Sequence, residues 1–105
     1  MEVWARQVAA ERPELLAVGL FGSYARGDWG VGSDADLVLV VEDSPRSFEA
    51  RAADWDVTSL PVPADVLVYT RSEWEAMAER RFRQTIEREA IWVYRRSDEQ
   101  PLAGP

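Results

Sequence analysis

The residues most able to do chemistry lie in one stretch, "LFGSYARGDWGVGSDADLVLVV", Leu20 to Val41. A Gly-Ser pair at Gly22 and Ser23 ends one apolar run, and Asp34 and Asp36 open another. Side chains alternate faces along a strand, so Asp34 and Asp36 point the same way with backbone positions roughly 7 Å apart. Two like charges on one face repel unless water or a divalent cation relieves them. Mg²⁺ takes oxygen ligands and sits between carboxylates and substrate phosphates, so the spacing suits a metal site. On its own, an Asp-x-Asp pair is more often a solvated strand start. Gly22 and Ser23 shift that balance: glycine lets the backbone approach closely, and a Ser at a helix opening offers hydroxyl and amides to phosphate. Side by side on adjacent strands, the two elements would form a nucleoside triphosphate site.

Composition excludes much other chemistry. There is no Cys, His, Lys or Asn, and all twelve basic residues are Arg. Disulfides, Cys/His zinc sites, thiol nucleophiles, histidine bases, Schiff-base lysines and a Walker lysine are therefore absent. What remains is carboxylates, hydroxyls, backbone amides, Arg and a bound ion. The net charge of −7 argues against general nucleic-acid affinity, because phosphates would be repelled. No apolar run reaches the ~20 residues that span a bilayer, and the N-terminus lacks the pattern of a signal peptide, so the expected location is cytoplasmic. For the same reason "RGD" at positions 26–28 is not read as an adhesion tripeptide.

The elements that position these residues follow from periodicity and punctuation. Glu2–Glu11 reads as a helix with Val3, Trp4 and Val8 on one side, ended by Pro13. Ala17–Phe21 is a first strand, Ser23–Arg26 a short helix start, and Asp36–Val41 a strand buried on both faces. Ser44-Pro45 predicts an N-cap and first turn of a helix carrying Phe48, Ala52 and Trp55 on one face. "ADVLVYT" is a third strand. Arg71 to about Ala90 reads as one long helix with Trp74, Met77, Ala78, Phe82 and Ile86 at helical spacing. "IWVYRR" is a last strand. With 105 residues the expectation is one domain, residues 1–96, followed by a loose tail, residues 97–105. The fold class is α/β (α+β): a small mixed β-sheet with helices packed against it.

"GSYARGDWGVGSDAD" resembles the signature of the DNA polymerase β-like nucleotidyltransferase superfamily: Gly-Ser, ten residues, then Asp-x-Asp. Together with "SDADLVLVV" and "REAIWVY", nearly the whole chain resembles the minimal nucleotidyltransferases. That resemblance implies a third carboxylate on the following strand. Asp65, which alone would be an ordinary strand-start residue, stands there. It further implies that Asp34, Asp36 and Asp65 hold two Mg²⁺ ions, that Asp65 favours deprotonation of the acceptor hydroxyl, and that Gly22 and Ser23 hold the terminal phosphates of ATP. Arg26 has two readings: contact with phosphates, or pairing with Asp28 or a triad carboxylate. Tyr24 reads as packing or helix surface.

Minimal nucleotidyltransferases typically neutralise a HEPN ribonuclease toxin encoded beside them by transferring AMP from ATP to a toxin tyrosine. The resemblance implies this antitoxin role, and the −7 charge suits a basic partner surface. Two alternatives stand: a binding antitoxin using Trp29, Trp55, Trp74 or Trp92 as contact surface, and transfer to a small hydroxyl compound such as an antibiotic, with a homo-oligomer completing the pocket.

Overall fold

The structure is a computed structural model that describes residues 2–22, 35–58, 60 and 63–96. Helix α1 (Glu2–Glu11) leads into β1 (Leu15–Phe21); β2 (Ala35–Val41) is followed by the short α2 (Phe48–Arg51), a 3₁₀ turn (Ala52–Asp54) and β3 (Ala64–Thr70). Then come α3 (Arg71–Ala76), α4 (Arg81–Glu89) and β4 (Ile91–Arg95). The expected Ser23–Arg26 helix start and the 97–105 tail lie outside the described residues.

The sheet order is β3-β2-β1-β4, with β2 and β3 parallel and β1 antiparallel to both β2 and β4. Parallel neighbours need a crossover, and α2 with its 3₁₀ turn lies on that connection. Apolar side chains fill both faces. One face sets Val18, Leu37, Leu39 and Val68 against Trp4, Ala5 and Val8 of α1 and against Trp55 and Leu60. The other sets Ala17, Val38 and Val40 against Trp74 of α3 and Ile86 of α4. β2 is thus covered on both sides, which is why it reads as an unbroken apolar run. At Gly19 a Cβ would come within 3.0 Å of both the Trp92 ring and Val38, so glycine lets the indole pack closely on β1.

Three local expectations change. Val3 is 69% exposed, and Ala5 takes its place in the buried stripe with Trp4 and Val8. Ser44 and Pro45 form a bend instead of a helix start: the Ser44 N–H donates to Asp43 Oδ1 at 2.8 Å and Ser44 Oγ accepts from the Arg46 N–H at 3.3 Å. The helix begins three residues later, after Ser47, and Trp55 leaves it in an extended conformation.

The long C-terminal helix is two helices joined at 77–80. Trp74 and Ile86 are twelve residues apart, so at about 100° per residue a straight helix would turn them about 120° away from each other. The break brings both onto the sheet. Arg83 Nη1 donates to the Trp74 carbonyl at 2.6 Å, adding to the 3.3 Å bond that carbonyl accepts from the Met77 N–H at the break, and its guanidinium lies 4.6 Å from the indole centroid.

Candidate active site

Strand register sets the site. β1 and β2 run antiparallel with Phe21 opposite Asp36, and β2 and β3 run parallel with Asp36 opposite Asp65. In-register residues on neighbouring strands share a face, so the two carboxylates stand on strands about 4.8 Å apart. The Ala35 N–H donates to the Pro63 carbonyl at 2.8 Å and fixes that register at the strand starts. Asp36 is half-buried and Asp65 is exposed.

Gly22 follows β1 directly with φ +76°. A Cβ there would overlap Oδ2 of Asp36, so the turn can press this closely on the carboxylate only as glycine. Gly22, Asp36 and Asp65 are therefore brought together. Ser23, Arg26 and Asp34 lie outside the described residues.

Beside the pair opens a cavity of about 580 Å³ whose walls include Phe21, Val66, Leu67 and Phe82. Phe21 and Phe82 meet edge to face, 6.3 Å between centroids at 84°. Sequence reasoning assigned Phe82 to the core stripe of a long helix. It is instead 44% exposed at the first turn of α4, because the chain breaks just before it. No Gly or Pro announces that break, and the Met, Ala, Glu and Arg at 77–80 are all good helix formers.

The donor set suits a hard divalent cation. Two carboxylates stand in register on adjacent parallel strands, and the chain contains no Cys or His ligand. Among the described residues no group of three such ligands occurs.

The opposite end of β3 is organised for stability. Thr70 caps α3: its Oγ1 accepts from the Glu73 N–H at 3.2 Å, and Glu73 Oε1 accepts from the Thr70 N–H at 2.9 Å. Arg51, 7% exposed, grips the same carboxylate through Nη1 at 2.5 Å and Nη2 at 3.0 Å and donates to the Val68 carbonyl at 3.1 Å. The hydrogen bonds from Arg51 and Thr70 hold the Glu73 carboxyl below its ordinary pKa, and the one to Glu73 raises that of Arg51. Burial, with the nearby Glu73 charge, pushes the Tyr69 phenol up, so it stays a protonated donor at neutral pH.

The tryptophans proposed as a contact surface belong largely to the core. Trp55 is 7% exposed, Trp74 fully buried, and Trp92 half-buried edge-on against Trp74, 6.0 Å between centroids. Trp29 lies outside the described residues. No helix among the described residues is long and apolar enough to cross a membrane.

Three solved structures share the fold. An inferred nucleotidyltransferase from Sulfolobus solfataricus is 21% identical with a TM-score of 0.63, over 92% of this chain and 78% of its own. A toxin-antitoxin with AMP-PNP is 18% identical with a TM-score of 0.54, over 91% of this chain and 74% of its own. A mutant of the toxin-antitoxin MntA-HpeT, in which two aspartates two positions apart are replaced by glutamate, is 16% identical with a TM-score of 0.59, over 92% of this chain and 75% of its own. No curated protein matches the chain. Residues 4–93 match the family described as "Nucleotidyltransferase domain", and with that match over most of its length the chain belongs to the nucleotidyltransferase domain family.

Proposed function

We propose that this chain transfers AMP from ATP to a protein hydroxyl, the tyrosine of a HEPN-type toxin, and so acts as its antitoxin. The observation that carries the reading is the in-register pairing of Asp36 with Asp65 against the Gly22 turn. Asp36, with Asp34 and Asp65, would hold Mg²⁺. When bound, the ion offsets triphosphate charge and lowers the pKa of the attacking hydroxyl.

The chain's own residues do the rest. Backbone amides at Gly22 and Ser23 orient the terminal phosphates, with Arg26 as a further candidate contact. Asp65, more exposed than Asp36, receives the hydroxyl proton at a carboxylate oxygen as the new oxygen–phosphorus bond forms and pyrophosphate leaves. Phe21, Val66, Leu67 and Phe82 limit water around the transfer.

Support also comes from the fold neighbours: one is a toxin-antitoxin with AMP-PNP, and another carries an altered aspartate pair at the spacing of Asp34 and Asp36. Burial of Trp55 and Trp74 takes two of the four tryptophans away from the surface a purely binding antitoxin would use.

The test is to incubate the purified chain with Mg²⁺, α-labelled ATP and the toxin protein encoded beside it. Label should appear on a toxin tyrosine and vanish with Asp36→Ala. A folded, partner-bound chain that never labels the toxin would sink the reading, and neutralisation surviving Asp36→Ala would restore the binding alternative.

A further inference from the structure

Phe82 belongs to two surfaces. Its ring borders the carboxylate cavity and also a groove of about 500 Å³ lined by Phe48, Tyr69, Ala76, Met77 and Arg80. The groove therefore begins where the candidate active site ends, on the β3 side. Asp65 and Tyr69 share a face of that strand four positions apart, about 13 Å at ~3.3 Å per residue. Its walls are largely apolar and aromatic, with the Phe48 and Tyr69 rings 5.0 Å apart.

Charge then narrows what fits. The one carboxylate in the groove, Glu73, is already gripped by Arg51. Its cation is not: the Arg80 side chain is exposed and makes no ion pair or hydrogen bond among the described residues, and the same holds for neighbouring Arg81. Arg12, Arg46, Arg51, Arg71, Arg83 and Arg96 are ion-paired, and of the arginines without an ion pair among the described residues, Arg80 is the one that lines this groove. On a chain of net charge −7, residues 80–96 hold six Arg against two Glu. An apolar groove with an uncompensated guanidinium on its rim suits an apolar side chain next to a carboxylate.

We infer that this groove docks the acceptor protein through an extended segment. In that segment an apolar or aromatic residue seats between Phe48, Met77 and Phe82, and an adjacent carboxylate pairs with Arg80. The acceptor hydroxyl then reaches Asp65 about four residues along. The inference rests on the reading of the chain as a transferase acting on a protein hydroxyl.

The experiment uses two fluorescein-labelled peptides, each with a Tyr four residues from a Phe. In one, Glu follows the Phe; in the other, Arg does. Binding is followed by anisotropy without nucleotide, on the wild type, Arg80→Glu and Met77→Asp. The Phe-Glu peptide should bind the wild type about tenfold tighter than the Phe-Arg peptide, Arg80→Glu should reverse that order, and Met77→Asp should weaken both. Equal binding of the two peptides, an order unchanged by Arg80→Glu, or no binding up to millimolar peptide each overturns the proposal. The same samples are titrated with a fluorescent ATP analogue and Mg²⁺. Charge-dependent peptide binding without nucleotide binding would keep the groove and sink the transferase reading. Nucleotide binding without peptide discrimination would do the reverse.

Discussion

The two ends of the parallel β2–β3 pair use the same residue types to opposite ends. Where the strands begin, Asp36 and Asp65 are set abreast with glycine pressed against one of them. Where β3 finishes, Glu73 receives two bonds from Arg51 and one from the Thr70 amide. At the first end two like charges are gathered on neighbouring strands, an arrangement that a bound cation would favour. At the second a carboxylate is fully answered by the fold. A carboxylate's role here is therefore read from what surrounds it, and the two ends should respond to substitution in opposite ways.

The largest effect is expected at the strand starts. Asp65→Asn should lower nucleotidyl transfer by about 10²–10⁴-fold, the range for loss of a positioned proton acceptor, and Asp36→Asn should do at least as much. Thermal stability should hold or rise in Asp65→Asn, because removing one of two abreast carboxylates relieves repulsion. A melting temperature that drops with that change would show Asp65 to be structural and erase the contrast between the ends.

Gly22→Ala breaks the same end through the backbone. Left-handed φ costs a non-glycine residue about 1–2 kcal/mol, and the new methyl must displace the Asp36 carboxylate. Transfer should fall alongside a modest loss of stability, and circular dichroism melts run in parallel with activity separate the two contributions. Asp36→Gly combined with Gly22→Ala should recover part of that stability and none of the activity.

Much of this division was legible in the sequence. β3 was read with its observed bounds, and β2 within one residue of its start, because Val and Leu runs bounded by Pro, Asp and Gly have few alternatives. The pairing of Asp36 with Asp65 was not legible, since register depends on where two distant strands meet. Nor was the break at 77–80: Ala, Glu and Arg are good helix formers, and only the packing of Trp74 and Ile86 on one sheet overrides them. Misreading that segment as one helix hid Phe82 and Arg80 among core and solvated positions. Arg51 was missed because a lone Arg gives no sign of being buried until its partner, 22 residues on, folds against it.

At the answered end the expected loss is in stability. Glu73→Ala leaves the buried Arg51 guanidinium without its partner and also removes half of the α3 capping box. Breaking a buried pair costs about 3–5 kcal/mol, but the Glu73 side chain is 40% exposed, so about 2 kcal/mol is the expectation. In a domain of this size that is a drop in melting temperature of roughly 8–16 °C, measurable by differential scanning calorimetry, with transfer activity below the melt retained.

The smallest effect is the pH dependence that the same carboxylate confers. Hydrogen bonds from Arg51 and Thr70 hold the Glu73 pKa below its ordinary value of 4.5, so the folded state releases this proton more readily than the unfolded chain does. Stability from Glu73 is therefore fully present above pH 4.5 and lost as pH falls through the lower folded value. Asp56 is shifted the same way by the Thr58 hydroxyl and amide, and its exposed position adds little to the same acid limb. Urea midpoints measured from pH 7 to 3 should be flat down to about 5 and then decline. The decline should be shallower in Glu73→Gln, whose neutral amide has no proton to gain. Identical acid limbs in the two proteins would mean that Glu73 is not the carboxylate whose protonation the fold resists, and the contrast would have to be rebuilt on Asp56.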